Sequence, residues 1–456
     1  MGYNFRSVER DQAYLLPPSL RDWLPPDELA WLVLDVVEQV DLDPIRTRYR
    51  ADGWGAPAFD PALMTALLLY AYATGERSSR RIEALCRRDI AYRVICANQC
   101  PDHTTIARFR ADHEVALAGL FGEILRLCRA AGLGALGLVA IDGTKLAADA
   151  SDEHNRTADG LDAEIAAILA AHGATDAAED ASFGPERRGD ELPEGLADPR
   201  SRLVRLVEAR RQLAAVEAAQ QAAYAADLAR AADPDRRPGG RQAQPDAVRR
   251  QRSARRNTTD PDSRTLRGRT GWIVGYNGQV AVADDGLILA AELTQAANDL
   301  GQLVPLVERA EANVAAAGFR ERIGLVLADS GYWSEANLAA TERPGHPRLL
   351  IPPAGGKLRR PGSIRPFLAG RARMRHRLAQ PVMAARYRRR QAIVEPVFGQ
   401  LKEVRGVRRF RRRGLAACTS EWQLLCATHN LLKLWRYGSR DDPSHGPRSG
   451  RQPTGT

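Results

Sequence analysis

No stretch of this sequence approaches the roughly 18 consecutive apolar residues that a membrane-spanning helix requires. It also lacks a basic start followed by an apolar stretch and a small-residue cleavage site, so no membrane partner and no secretion signal are expected and the cytoplasm is the default compartment. Cysteine is scarce. Six of them (Cys86, Cys96, Cys100, Cys128, Cys418 and Cys426) in 456 residues argue against a disulfide framework and for a reducing environment. The spacing of Cys96, Cys100 and His103, with Cys86 as a fourth ligand, fits no common zinc module, and Cys426 and His429 lie in an apolar stretch that reads as core. Apolar residues are not scarce: at 44% they exclude disorder of the whole chain, and the length allows two or three domains.

Charge is distributed very unevenly. The formal net charge is +10, yet between Lys357 and Arg413 stand nineteen Lys or Arg against two acids, Glu395 and Glu403, a local charge of +17. The remainder is therefore mildly acidic. A concentrated basic segment is what a contact surface for the phosphate backbone looks like, and the bland alternative is a solvated tail. Ile393-Val394-Glu395-Pro396-Val397-Phe398 is too apolar for such a tail.

Residues 1–132 read as an all-helical domain. Leu29, Leu32, Val33, Val36, Val37 and Val40 recur at three- and four-residue steps, a second helix fits Pro61 to Thr74, Ser78 or Ser79 caps a third, and Asp102 or Thr104 a fourth. Two short basic helices about a turn suggest a helix-turn-helix reader of DNA, and a plain packing or dimerisation domain remains the alternative. The strands come next, in Leu138 to Asp142, Trp272 to Ala283, Leu287 to Leu293, Ile323 to Asp329 and Arg348 to Ile351, with helices from Asn298 to Ala317 and near Ser334. Asp284-Asp285-Gly286 is a hairpin turn. This order predicts an α/β fold with a mixed sheet built from 133–151 and 260–437. Residues 152–259, rich in Ala, Arg, Asp and Glu, read as a helical insertion with a broken middle at Gly189 to Pro199 and a low-complexity linker from Pro234 to Pro245; 438–456 reads as a disordered tail.

Two of the strands end in an acid, Asp142 and Asp329. On neighbouring strands of one sheet both would emerge where loops form a crevice, with Gly143 and Gly331 leaving room for a ligand. Hard carboxylate oxygens suit Mg²⁺ or Mn²⁺, and two such ions about 3.5–4 Å apart activate the attacking oxygen and stabilise the leaving one in an in-line displacement. A third carboxylate is needed for the second ion.

Ala140-Ile141-Asp142-Gly143-Thr144, Leu327-Ala328-Asp329-Ser330-Gly331-Tyr332 and Val394-Glu395-Pro396-Val397-Phe398-Gly399-Gln400-Leu401-Lys402 resemble the three catalytic blocks of DDE-type bacterial insertion-sequence transposases. Thr259 to Arg264, Gly275 to Gln279 and Pro101 to Arg110 resemble further segments of that family. The resemblance implies a ribonuclease-H-like (retroviral-integrase-like) core interrupted by the insertion, with Asp142, Asp329 and Glu395 holding two Mg²⁺ ions (Mn²⁺ as substitute) and Lys402 acting beside them. It also implies double-stranded DNA as partner, both the terminal inverted repeats and the target, with identical chains assembling on it at the nucleoid. Related transposases space a Tyr, an Arg, the Glu and a Lys in a fixed pattern. Here Tyr387 and Arg390 keep the first spacing and Glu395 and Lys402 the last, but four residues instead of three separate Arg390 from Glu395. Glu395 and Lys402, seven apart, share a helix face. Pro396 means that the helix either kinks there or starts there, and the kink is favoured.

The alternatives are a nuclease with the same metal site and no joining step, and an inactive DNA-binding derivative, against which the presence of all three acids counts. Besides Tyr387, Arg390 and Lys402, the cluster Arg408, Arg409, Arg411, Arg412 and Arg413 is expected to touch DNA. Affinity for duplex DNA is then predicted to fall steeply with salt, and replacing these five arginines together should flatten the log–log slope by about one unit per lost phosphate contact. Binding isotherms across a salt series check this; an unchanged slope would leave the cluster as mere solvated charge.

Overall fold

The computed structural model describes residues 19–49, 57–183, 201–231, 254–268, 271–341, 343–353 and 369–441. The chain divides into two units, one of residues through Gly132 together with those from Ala427, the other Leu133–Cys426.

In the first unit α1 (Leu29–Gln39) buries Leu29, Val33, Val36 and Val37, the stripe visible in the sequence. After a single turn, α2 (Asp43–Arg46), helix α3 (Pro61–Ala73) starts with Pro61 in its first turn and the Asp60 carboxylate accepting from the Ala62 N–H at 2.7 Å. Leu67, Leu68 and Leu69 are all fully buried, so this helix is apolar all round and central. Helix α4 (Ser79–Arg88) leads into α5 (Ile90–Ile95), which periodicity does not reveal because it is under two turns long. Ser78 takes the N-cap position of α4 without a side-chain bond, whereas Asp102 caps α6 (His103–Asp112) through the Thr105 N–H at 2.8 Å. Helix α7 (Glu114–Ala130) follows. Arg110, in the segment read as basic, is interior: it donates to the Tyr72 hydroxyl, the Arg77 carbonyl and Ser79.

The second unit is built on a mixed sheet. Strand β1 (Leu138–Ala147) precedes the inserted segment, which holds β2 (Asn155–Arg156), α8 (Ala158–Phe183), α9 (Arg202–Ala231) and β3 (Arg256–Asn257). Then come β4 (Arg264–Arg267), β5 (Trp272–Ala283), β6 (Ile288–Thr294), α10 (Leu303–Ala316), β7 (Leu325–Leu327), α11 (Glu335–Thr341), β8 (Arg348–Leu350), α12 (Ala369–Ala379), α13 (Pro381–Gly399) and α14 (Leu415–Asp441). The sheet order is β4-β5-β1-β7-β8, with β6 also on β5. Strand β1 pairs antiparallel with β5 from Val139↔Ala283 to Ala147↔Gly275, and parallel with β7 from Leu138↔Leu325 to Ala140↔Leu327. Asp284 to Gly286 makes the turn between β5 and β6, with Gly286 at φ 83°.

Several expectations need correction. Asp142 is not at a strand tip: β1 runs five residues further because the long β5 keeps pairing with it, and Asp142 sits just past the point where its parallel neighbour β7 ends. The helix expected from Asn298 begins at Leu303, since residues 298–302 turn and send Asp299 back to the sheet. Of the two alternatives at Pro396, a helix start is ruled out: α13 continues over Pro396 to Gly399 and passes into a π-helical turn, Gln400–Val404. The last helix extends to Asp441, past the boundary expected at 437. The broken middle at 189–199, the linker at 234–245, Lys357 with its flanks at 354–368, and the tail beyond 441 lie outside the described residues.

Helices α8 and α9 share a small core of their own, in which Leu161, Leu206, Ala209 and Leu213 are buried with Ile165 and Ile168 against them. Arg210 to Asp162 and Arg202 to Glu164 bridge the pair, while Gln212 reaches Asp262 at 2.8 Å. Replacing 158–252 by a short Gly/Ser linker is therefore predicted to leave a cooperatively melting protein, because loop length changes closure entropy slowly and the lost bonds are few. Calorimetry of the deletion variant checks this; loss of the cooperative transition would show that the inserted helices are part of the core.

Candidate active site

Asp142 and Asp329 are brought together from distant parts of the chain. Asp142, 22% exposed, accepts the Gly143 N–H at 2.8 Å with Oδ1 and the Arg390 guanidinium at 3.1 Å with Oδ2. Burial pushes its carboxyl up from the ordinary range and the Asp329 charge adds to this, while Arg390 and the Gly143 N–H oppose it. Asp329 stands at the start of a 3₁₀ turn (Ser330–Tyr332) and accepts the Gly331 N–H at 2.8 Å. Its other oxygen has no hydrogen-bond partner among the described residues. Tyr332, fully buried in the same turn, has its hydroxyl pushed up by burial and then by the charges of Asp299, Asp142 and Asp329, so three acids act on it electrostatically.

Helix α13 crosses this pair. Tyr387 lies one turn before Arg390, bonded to it and within electrostatic reach of both aspartates. The extra residue between Arg390 and Glu395 thus accompanies a direct role for Arg390, as counter-ion to Asp142. Glu395 is exposed and makes no ion pair or hydrogen bond among the described residues. Phe398 and Gly399, three and four residues on and so on the same helix face, line a cleft of about 620 Å³ together with Asp142, Lys145, Arg267, Lys402 and Arg408. Lys402, in the π-helical turn, donates to the Lys145 carbonyl at 3.3 Å. Glu395 itself is not among the residues lining the cleft, and among the described residues no three His, Cys, Asp or Glu are grouped to hold a metal ion.

The arginine cluster is ordered. Arg409 bridges to Ala147 at the end of β1, and Val407 and Phe410 are fully buried, which leaves Arg408, Arg409, Arg411 and Arg413 exposed on an anchored loop. Arg408 pairs with Glu403 and Arg413 with Asp149, and Glu421 accepts the main-chain N–H of both Arg411 and Arg412. Thr259 to Arg264 proves to be structural: Asp260 takes the Tyr276 hydroxyl at 2.8 Å, and Asp262 takes the Leu415 N–H at the start of α14 at 2.9 Å. In the first unit His103 is held by Glu83 at 2.8 Å, and Cys86 and Cys96 touch at 3.7 Å.

The comparisons with known proteins point the same way. A transposase domain (DUF772) matches residues 18–112, and a transposase DDE domain matches 360–435. These two matches support a DDE-type insertion-sequence transposase. The second match contains Glu395, Lys402 and the arginine cluster, while Asp142 and Asp329 fall between the two. No curated protein and no solved structure matches significantly. Transposases act on DNA in transposition and recombination, and DDE domains generally use divalent metal ions. No described helix is long and apolar enough to cross a membrane.

Sequence reasoning missed Asp299 and its partnership with Asn277 and Gln279, two residues of the segment Gly275 to Gln279. Asp299 accepts from Asn277 at 2.7 Å, Gln279 at 2.7 Å and Lys145 at 3.2 Å, all with Oδ1. The space beside Gly143, expected to admit a ligand, is filled by these side chains: a Cβ there would stand 2.9 Å from Asp299 and against Gln279. The available signal was two amides at alternate positions of an otherwise apolar strand.

Proposed function

We propose that this chain binds the terminal inverted repeats of an insertion sequence, cleaves at the element ends and joins the exposed 3′ hydroxyl to target DNA, acting as an assembly of identical chains on the DNA. The observation that carries the reading is the meeting of Asp142 and Asp329 beside a cleft lined by Lys402 and Arg408. The three antiparallel strands β6-β5-β1 followed by parallel β7 and β8 support a ribonuclease-H-like core.

The donor set suits a divalent ion. Two carboxylates, one of them largely withdrawn from water, repel each other, and hard oxygens of this kind match Mg²⁺ or Mn²⁺. Asp142 and Asp329 would hold the ions, with Glu395, exposed on α13, as the further donor. Bound there, the ions supply charge neutralisation and a lowered pKa for the attacking water or hydroxyl. The chain's own residues do the rest: Arg390 fixes the Asp142 carboxylate, and Lys402 with Arg408 presents cationic groups to the phosphates along the cleft.

Asp142→Ala, Asp329→Ala and Glu395→Ala are each expected to reduce Mg²⁺-dependent cutting of DNA carrying the sequences that flank the gene by on the order of a thousandfold or more, with DNA binding retained, because ligands of a metal pair act as a unit. Gel assays of cleavage and joined product test this. Appreciable cutting by any variant removes that residue from the site, and release of cut ends without joined product would favour a nuclease.

A further inference from the structure

Asp299 is placed as no ordinary turn residue. It lies just before α10, yet that helix's N-cap, Gln302, has no side-chain capping bond, and the Asp299 carboxylate turns back to the sheet. There one oxygen receives three donors. Asn277 and Gln279 are fully buried, and a buried amide without partners costs free energy, so the Asp299 acceptor is what makes these two residues tolerable inside the sheet. The pairs Lys145↔Asn277 and Gly143↔Gln279 place all four positions on one face of neighbouring strands, under Asp299, while Asp142 points to the other face and Arg390. Gln279 then passes the connection on. Its Nε2 donates to Asp299 and its Oε1 accepts from the Tyr332 hydroxyl, which fixes the amide's orientation and ties it to the turn that begins at Asp329. The second Asp299 oxygen faces Gly331 in that turn, 3.8 Å from where a Cβ would stand.

We propose that Asp299 is a positioning residue for the Asp142–Asp329 pair: through Lys145 it holds the strand that carries Asp142, and through Gln279 and Tyr332 it holds the turn that carries Asp329. This rests on the reading of that pair as the metal-binding site. Partners behind metal ligands set the orientation of those ligands, and their loss typically lowers metal affinity about 10–100-fold.

The test is a Mn²⁺ titration of the full-length protein, with free Mn²⁺ read by electron paramagnetic resonance, for wild type, Asp299→Asn, Tyr332→Phe, the double variant and Asp142→Ala, each checked for a cooperative melt. Asp299→Asn should weaken Mn²⁺ binding about tenfold. Tyr332→Phe, which changes no charge and removes only the hydroxyl, should weaken it severalfold, and the double variant should bind no more weakly than Asp299→Asn, because both break one chain of contacts. Wild-type affinity in Asp299→Asn, or losses that multiply in the double variant, would overturn the proposal and leave Asp299 as a local charge or fold element. Wild-type affinity in Asp142→Ala would instead bring down the metal-site reading on which it rests.

Discussion

A carboxylate that is mostly withdrawn from water and stands near a second carboxylate must be compensated, and at Asp142 that compensation is a guanidinium from a helix encoded far along the chain. The Arg390 contact therefore links the sheet to α13 and, through it, to every residue the basic segment brings to the cleft. Breaking one side of such a partly buried pair is costlier than never having made it, which makes α13's position on the sheet specific. Val394 and Val397, buried on the same helix, add an apolar seat for it.

Beneath this pair lies the β1–β5 ladder. It runs the full length of β1 past Asp142, whereas the parallel pairing with β7 stops two residues before it. The acid is thus held rigidly on one edge and open on the other, where the Asp329 turn begins. Closure of that ladder across the inserted helices is what lets a segment with its own small core sit between strands of one sheet without interrupting it. Gly278 belongs to the same logic, since a Cβ there would stand 3.0 Å from the buried Trp422 ring beneath β5.

Much of this was legible in the residues. Apolar runs ending in Asp142 and Asp329, the Asp102 cap and the Asp284 to Gly286 turn are local signals, and local chemistry sets them. What was not legible depends on distant partners. Asp142 reads as a strand end because Gly143 follows it, yet β5 carries the strand on. Asn298 to Gln302 has helix-compatible residues, but the Asp299 carboxylate satisfies two buried amides on β5 instead of entering the helix. Pro396 left a kink and a helix start both open in the sequence, and α13 continues through it, one turn before a π-helical stretch. The departure in spacing at Arg390 left its role open, and only the fold shows the acid that it meets.

The most direct test of the account is the anomalous scattering of Mn²⁺ introduced into crystals of the full-length protein. The expected result is a peak beside the Asp142 and Asp329 carboxylates that is abolished in Asp329→Ala. A strong peak bound elsewhere, or one indifferent to Asp329, would contradict it.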